Sequence, residues 1–180
     1  MTDKKKYHVY KVDDHALYEK LREILCKKST VIACVGTELR SDDKAGIILY
    51  NMLIHSLENL DNVVLCEYGI ENCLVEIEEK KPETLVIIDG IVANAPPGAI
   101  VIAPLETIDE SFLATTHNIP LSLSIKFLRS MGLAKEVIII GVRVQSLELG
   151  EEISPVVEKS TRKLASKISM VIRECMKQNV

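Results

Sequence analysis

The chain of 180 residues is poor in aromatic side chains, with no Trp, two Phe and five Tyr. It also lacks an excess of positive charge, because 22 Lys and Arg residues stand against 26 Asp and Glu residues. Proteins that bind nucleic acids use basic side chains against the phosphates and aromatic rings against unpaired bases. The composition therefore argues against nucleic acid as a partner.

Long hydrophobic runs are also missing. No apolar segment approaches the roughly 18–20 residues that cross a bilayer. The basic residues near the N-terminus are not followed by the apolar stretch of a signal peptide. We therefore expect a cytoplasmic protein that does not insert into a membrane.

Cysteine spacing offers no support for a cysteine-based scaffold. The five cysteines are Cys26, Cys34, Cys66, Cys73 and Cys175. Their odd number and the absence of a C-x-x-C pair argue against a disulfide framework and against a zinc knuckle. We expect Cys34 and Cys66, which fall in predicted strands, to be small buried hydrophobic residues.

Several common catalytic motifs are absent as well. The sequence contains no G-x-S-x-G nucleophile elbow, no H-E-x-x-H helix and no phosphate-binding loop of the G-x-x-x-x-G-K-[ST] type. These absences argue against a serine hydrolase of the α/β-hydrolase type, a zincin and a P-loop nucleotidase.

What the sequence does contain is an alternation of short apolar runs and amphipathic segments. The predicted strands cover residues 31–35, 62–67, 84–89, 99–103 and 137–142. The predicted helices cover residues 14–28, 45–53, 70–79, 121–131 and 154–177. This order is typical of a three-layer α/β/α sandwich, with a mainly parallel, twisted sheet of about five strands. The strand at 99–103 follows a turn, so it can pair antiparallel.

The length and the 47% hydrophobic content fit one domain over residues 1–180. Residues 1–13 read as a polar tail or an edge segment. Together with the first helix they form an N-terminal extension, residues 1–28. This extension can cover a sheet face, mediate dimerisation or contact a partner.

The segment VIACVGTELRSDDKAG, residues 31–46, reads as strand, loop and helix. Gly36 allows a sharp turn where the strand ends, and Gly46 allows the helix to approach the strand closely. Asp42 can cap the helix, which leaves Asp43 free to point elsewhere. An acidic pair at a helix start is also favoured by the helix dipole without any chemistry.

Three side chains that suit chemistry are predicted to share the carboxyl edge of the sheet. They are Asp43, Asp89 at the end of the run TLVIID, and His117 in the irregular segment TTHNIP. Two carboxylates and an imidazole suit a borderline divalent ion such as nickel, zinc or cobalt, and could instead act as acid and base. A single histidine in a loop is more often an ordinary surface residue. Thr115 and Thr116 can position a substrate or bond to their own backbone.

Four motifs in order resemble those of the nickel–iron hydrogenase maturation endopeptidases. They are GTELRSDDKAG, a strand ending in VIID, the segment TTHNIPL, and IIGV followed by ISPVV. The resemblance extends over residues 30–157. It departs from the family at Thr37, where asparagine is common, and at Ser41, where glycine often precedes the acidic pair.

The resemblance implies a peptidase that removes a C-terminal extension from the hydrogenase large-subunit precursor after nickel insertion. It also places the family's metal-binding positions on Asp43, Asp89 and His117. We expect these three residues to be catalytic as well, with Asp42, Gly36 and Thr116 in support. The nickel is then carried by the substrate, no organic cofactor is needed, and cleavage depends on metallation.

Our hypothesis is that the precursor's nickel polarises the scissile carbonyl or activates a water. Two alternatives remain open at this point. One is a non-catalytic assembly factor that checks nickel in the same pocket, and the other is a peptidase of this fold with another protein substrate.

Overall fold

A computed structural model describes residues 7–57, 60–105, 114–115, 130–132, 134–150 and 152–178. Within these residues the chain forms a mixed sheet flanked by helices on both faces. The strands are β1 His8–Tyr10, β2 Thr30–Gly36, β3 Val63–Glu67, β4 Thr84–Val92, β5 Ile100–Pro104, β6 Ala114–Thr115 and β7 Glu136–Arg143.

The sheet has the strand order β1-β5-β7-β4-β2-β3, and β6 pairs with β4 outside this path. β3, β2, β4 and β7 run parallel to one another. β5 pairs antiparallel with β7, as expected for a strand that follows a turn, and β1 pairs antiparallel with β5. The predicted α/β class is confirmed, and β1 and β6 add to the five predicted strands.

In the described residues the sheet is flanked by α1 His15–Leu25, α2 Lys44–Ser56, α3 Leu74–Lys80 and α4 Pro155–Gln178, with a 3-10 turn Ile70–Cys73 before α3. Residues 130–131 are also helical, and the rest of the predicted helix 121–131 lies outside the described residues. α1, α2 and α4 share one hydrophobic cluster with one face of the sheet. The 3-10 turn and α3 pack on the other face. In the described part of the chain, no helix combines the length and the hydropathy that a membrane crossing requires.

The N-terminal region takes one of the roles left open by the sequence. β1 forms an edge strand, and α1 covers a sheet face with the buried side chains of Leu17, Leu21 and Ile24. Asp13 also accepts hydrogen bonds from Lys163 of α4 at 2.7 and 2.8 Å. Through α1, the extension therefore belongs to the helical layer that α1, α2 and α4 form on one face of the sheet.

The structure corrects the interpretation of the cysteines. Disulfides join Cys26 to Cys175 and Cys66 to Cys73, so the prediction of no disulfide framework is wrong. Cys66 is buried, as predicted, but its sulfur is bonded to Cys73. Cys34 is free and fully buried, as predicted. The spacing of the cysteines could not predict the Cys26–Cys175 disulfide, because these two residues come together only when α1 packs beside α4.

The end of β4 is also corrected. The sequence predicts that β4 ends at Asp89, but the strand continues to Val92. Asp89 and Gly90 stay in parallel register with Gly141 and Val142 of β7. Asp89 therefore lies inside the strand, near its carboxyl end.

Candidate functional site

The loop between β2 and α2 lies where the parallel strands end. Gly36 does not adopt a positive φ, so its need for glycine comes from close packing. A Cβ on Gly36 would lie 2.5 Å from the carbonyl oxygen of Asp43. A Cβ on Gly46 would lie 1.8 Å from the carbonyl oxygen of Val35, which confirms that Gly46 permits the close approach of α2 to β2. At both positions a side chain would prevent the start of α2 from packing this closely on β2.

Asp42 does not cap α2, contrary to the prediction. Asp43 occupies the cap position, and it makes no side-chain capping hydrogen bond. The Asp42 carboxylate instead accepts hydrogen bonds from the N–H groups of Gln145 at 2.5 Å and Ser146 at 2.8 Å. Ser154 adds its N–H at 2.6 Å and its hydroxyl at 3.1 Å. Asp42 thus ties the start of α2 to the chain between β7 and α4.

Thr37 and Ser41, the two residues that differ from the motif of the resembled family, lie in the same loop. The Thr37 hydroxyl accepts the N–H of Leu39 at 3.2 Å, and the Thr37 N–H donates to the carbonyl of Asp43 at 3.2 Å. The buried Ser41 hydroxyl donates to the carbonyl of Glu152 at 2.9 Å. Both residues therefore stabilise the loop that carries the acidic pair.

Asp43 is fully buried and lies against the end of β4. Its Oδ1 is 3.6 Å from the position that a Cβ on Gly90 would occupy. That separation is ordinary van der Waals contact, so it places the carboxylate next to Gly90 without itself requiring a glycine there; the contact that excludes a Cβ is with Val144 Cγ1, at 2.9 Å. The structure thus brings Asp43 to the residue next to Asp89, although the two lie 46 positions apart in the sequence.

Asp89 is 2% exposed, so two acidic residues are buried near the end of β4. Burial of a carboxylate is unfavourable unless it is compensated by hydrogen bonds, opposite charge or a metal. Evolution rarely places such groups in a core without a structural or chemical reason. This combination makes the end of β4 the strongest candidate for the functional centre.

His117 and Thr116 lie outside the described residues, so it stays a prediction that they lie close to the two carboxylates. Directly before them, Ala114 and Thr115 are described. There β6 pairs antiparallel with β4, and Thr115 lies opposite Ile91. The segment TTHNIP therefore begins beside the strand that carries Asp89.

No other described residue completes a three-ligand site. Among the residues that the structure describes, no group of three His, Cys, Asp or Glu side chains is arranged to hold a metal ion. The candidate metal site consequently depends on His117. Burial raises the pKa of the Cys34 thiol far above its ordinary value, so Cys34 is not suited to act as a nucleophile.

Sequence reasoning missed the partners of Asp42. The predicted helix 154–177 begins at Ser154, and the structure begins α4 at Pro155; the Ser154 hydroxyl donates to Asp42. Gln145 and Ser146 could not be predicted as partners of Asp42, because only their backbone N–H groups donate to it. Contacts of this kind leave no trace in residue type or spacing.

The chain matches the family model described as hydrogenase maturation protease (HycI) over residues 50–171. Asp89 and His117 lie within the matched range, and Asp43 precedes it. A putative hydrogenase maturation protease from Methanocaldococcus jannaschii is 31% identical over 167 residues, which cover 88% of this chain and 95% of that protein.

Two further comparisons agree. The hydrogenase 3 maturation protease of Escherichia coli K12 is 35% identical over 116 residues, which cover 63% of this chain and 71% of the relative. The crystal structure of the NiFe hydrogenase maturation protease HycI from Thermococcus kodakarensis KOD1 superposes with a TM-score of 0.73 at 26% identity. That superposition covers 86% of this chain and 99% of the other.

Proposed function

The chain belongs to the hydrogenase maturation protease family, and on this premise we propose that it cleaves a nickel–iron hydrogenase large-subunit precursor after nickel insertion. Family membership makes the chain a hydrolase, specifically an endopeptidase. It thereby argues against the non-catalytic assembly factor. The bond that is cut separates the C-terminal extension from the mature subunit.

The observation that carries the proposal is the pair of buried carboxylates at the end of β4. Asp43 reaches Gly90 from the start of α2, and Asp89 precedes Gly90 in the strand. Carboxylate oxygens suit a divalent cation, and an imidazole from His117 would give the set the mixed oxygen and nitrogen character that nickel accepts. Three protein ligands leave coordination positions for the precursor's own ligands.

In this proposal the nickel arrives as part of the substrate. Asp43, Asp89 and His117 bind it and so hold the scissile peptide over the carboxyl edge of the sheet. A divalent ion near the scissile bond polarises the carbonyl or lowers the pKa of a bound water, which makes attack possible near neutral pH. Precursor without nickel lacks the group that these ligands recognise, so it stays uncut.

Asp42 has a positioning role in this scheme. Its four hydrogen bonds to the chain between β7 and α4 fix the peptide that carries Asp43. A ligand that is held in place before the substrate binds loses little conformational freedom on binding.

The experiment that tests the proposal follows release of the C-terminal peptide by mass spectrometry. Nickel-loaded and nickel-free precursor are each incubated with the wild type and with the variants Asp43→Asn, Asp89→Asn and His117→Ala. We expect trimming of the loaded precursor alone, and a loss of about 100-fold or more in each variant, the scale of removing one strong polar contact in an active site.

The control variant is Asp61→Asn, which removes an exposed acidic group outside the site. It should trim at the wild-type rate. Equal trimming of loaded and nickel-free precursor would contradict nickel recognition. Full activity of the His117→Ala variant would remove His117 from the site.

A further inference from the structure

Three described residues other than glycine adopt a positive φ: Ser29, Tyr68 and Lys81. This region of backbone space is disfavoured for L residues with large side chains. Lys81 caps the end of α3, where a left-handed residue is common. Ser29 directly precedes β2 at the amino edge of the sheet. Tyr68, at φ +67, has neither a helix end nor a small side chain to account for its conformation.

Tyr68 lies at the carboxyl edge, directly after β3. Its N–H donates to the carbonyl of Gly36 at 2.9 Å, and Gly36 is the last residue of β2. The loop that carries Asp42 and Asp43 begins at the next residue. Tyr68 is therefore joined by a backbone hydrogen bond to the strand end from which the candidate site is built.

The surrounding loop holds Tyr68 in its unfavourable conformation. The disulfide between Cys66 and Cys73 encloses the loop, and the Asn72 side chain donates to the carbonyl of Glu67 at 2.7 Å. Gly69 follows at φ +155 and ψ +159, a combination that is almost restricted to glycine. These constraints together determine the backbone around Tyr68.

The packing of the Tyr68 side chain does not explain why a tyrosine occupies this position. The Tyr68 residue is 51% exposed, and it belongs to none of the hydrophobic clusters formed by the described residues. Backbone strain that persists without a packing benefit is concentrated at functional sites. A half-exposed tyrosine offers a rigid apolar ring and a hydroxyl to a partner at low entropic cost.

We infer that Tyr68 is a specificity-determining residue that contacts the precursor's polypeptide beside the scissile bond. This inference rests on the proposed function. The ring covers an apolar side chain of an extended segment, while the braced backbone holds the ring at the edge of the site. The contact is made in the ground state and in the transition state, so it affects KM more than kcat.

The test compares Tyr68→Gly and Tyr68→Phe with the wild type, using nickel-loaded precursor. Urea midpoints, KM and kcat for trimming, and the Kd of the precursor are measured for each. Tyr68→Gly relieves the backbone, so its urea midpoint should equal or exceed that of the wild type. Its KM and Kd should rise about tenfold, as for an interface aromatic, with kcat within about twofold. Tyr68→Phe keeps the ring and should stay within about threefold of the wild-type KM.

Lys81→Gly is the matched control, because it relieves a positive φ at the opposite edge of the sheet. It should raise the urea midpoint without changing KM or Kd. An unchanged KM and Kd in Tyr68→Gly, or a rise of equal size in Lys81→Gly, would overturn the inference.

The wild-type reactions separate this inference from the proposed function. Wild type that binds the precursor but leaves it uncut contradicts the proposed cleavage, and the Kd values still decide the role of Tyr68. Wild type that neither binds nor cuts the precursor overturns both.

Discussion

At the scale of single residues, the Asp42 carboxylate is expected to be a major contributor to stability. It is fully buried and accepts four hydrogen bonds between 2.5 and 3.1 Å. In Asp42→Asn one oxygen is replaced by an NH2 group, which would face N–H donors. We expect the free energy of unfolding to fall by about 2–4 kcal/mol, the range for a buried polar group that loses its partners.

Urea denaturation of Asp42→Asn and Asp61→Asn provides the measurement. Asp61 is exposed, so the same chemical change there should alter the free energy of unfolding by less than about 0.5 kcal/mol. Equal stability of the two variants would show that the Asp42 hydrogen bonds make no net contribution to the free energy of unfolding.

Cys34 leads to a second residue-scale prediction, on reactivity and pH. Burial raises the pKa of its thiol, so the thiol stays protonated in the folded protein and does not react with iodoacetamide at neutral pH. Because the folded-state pKa lies above the unfolded value of about 8.5, its stabilising contribution is complete below that pH and is lost as the pH rises above it.

Labelling without reductant checks this prediction. We expect no label in the native protein and a single labelled thiol in denaturant, since the other cysteines form disulfides. With reductant in denaturant, all five cysteines should be labelled. Native labelling of Cys34, or more than one label without reductant, would contradict the structure.

At the scale of secondary-structure elements, the two disulfides should differ in their effect on stability. Cys26–Cys175 joins α1 to α4 across 149 residues, whereas Cys66–Cys73 spans 7. In the loop-entropy model the longer link stabilises by about 5 kcal/mol and the shorter one by about 2 kcal/mol.

Paired Cys→Ala variants of each disulfide, compared by urea denaturation, test this difference. Removal of Cys26–Cys175 should lower the free energy of unfolding by about 2–3 kcal/mol more than removal of Cys66–Cys73. A larger loss for the short link would mean that local packing of the loop around Tyr68, and not chain entropy, dominates.

The strands and helices could be predicted from the sequence only in part. Apolar runs located the central strands to within a few residues, because buried parallel strands are apolar on both faces. The end of β4 was misjudged because a carboxylate usually marks a strand end, yet Asp89 remains in register with Gly141. Local capping rules assigned Asp42 to α2, whereas its partners lie 103 to 112 residues away.

At the scale of the whole molecule, the candidate site follows from strand order. β2, β4 and β7 are adjacent and parallel, so the segments after them meet at one edge. The mainly parallel sheet was predictable from the alternation of strands and helices, but the strand order was not predicted. The approach of Asp43 to Gly90 was not predictable, because it depends on how closely α2 packs on β2 at Gly46, which residue spacing does not reveal.

In the proposed function, Asp43, Asp89 and His117 bind the nickel of the precursor. The most direct measurement is the nickel K-edge absorption spectrum of loaded precursor, alone and freeze-quenched with the peptidase before trimming. We predict that binding of the wild type adds oxygen and nitrogen ligands to the nickel, and that His117→Ala removes the added nitrogen. A nickel spectrum that stays the same on binding, while the wild type still trims the precursor, would contradict the binding of nickel by these residues.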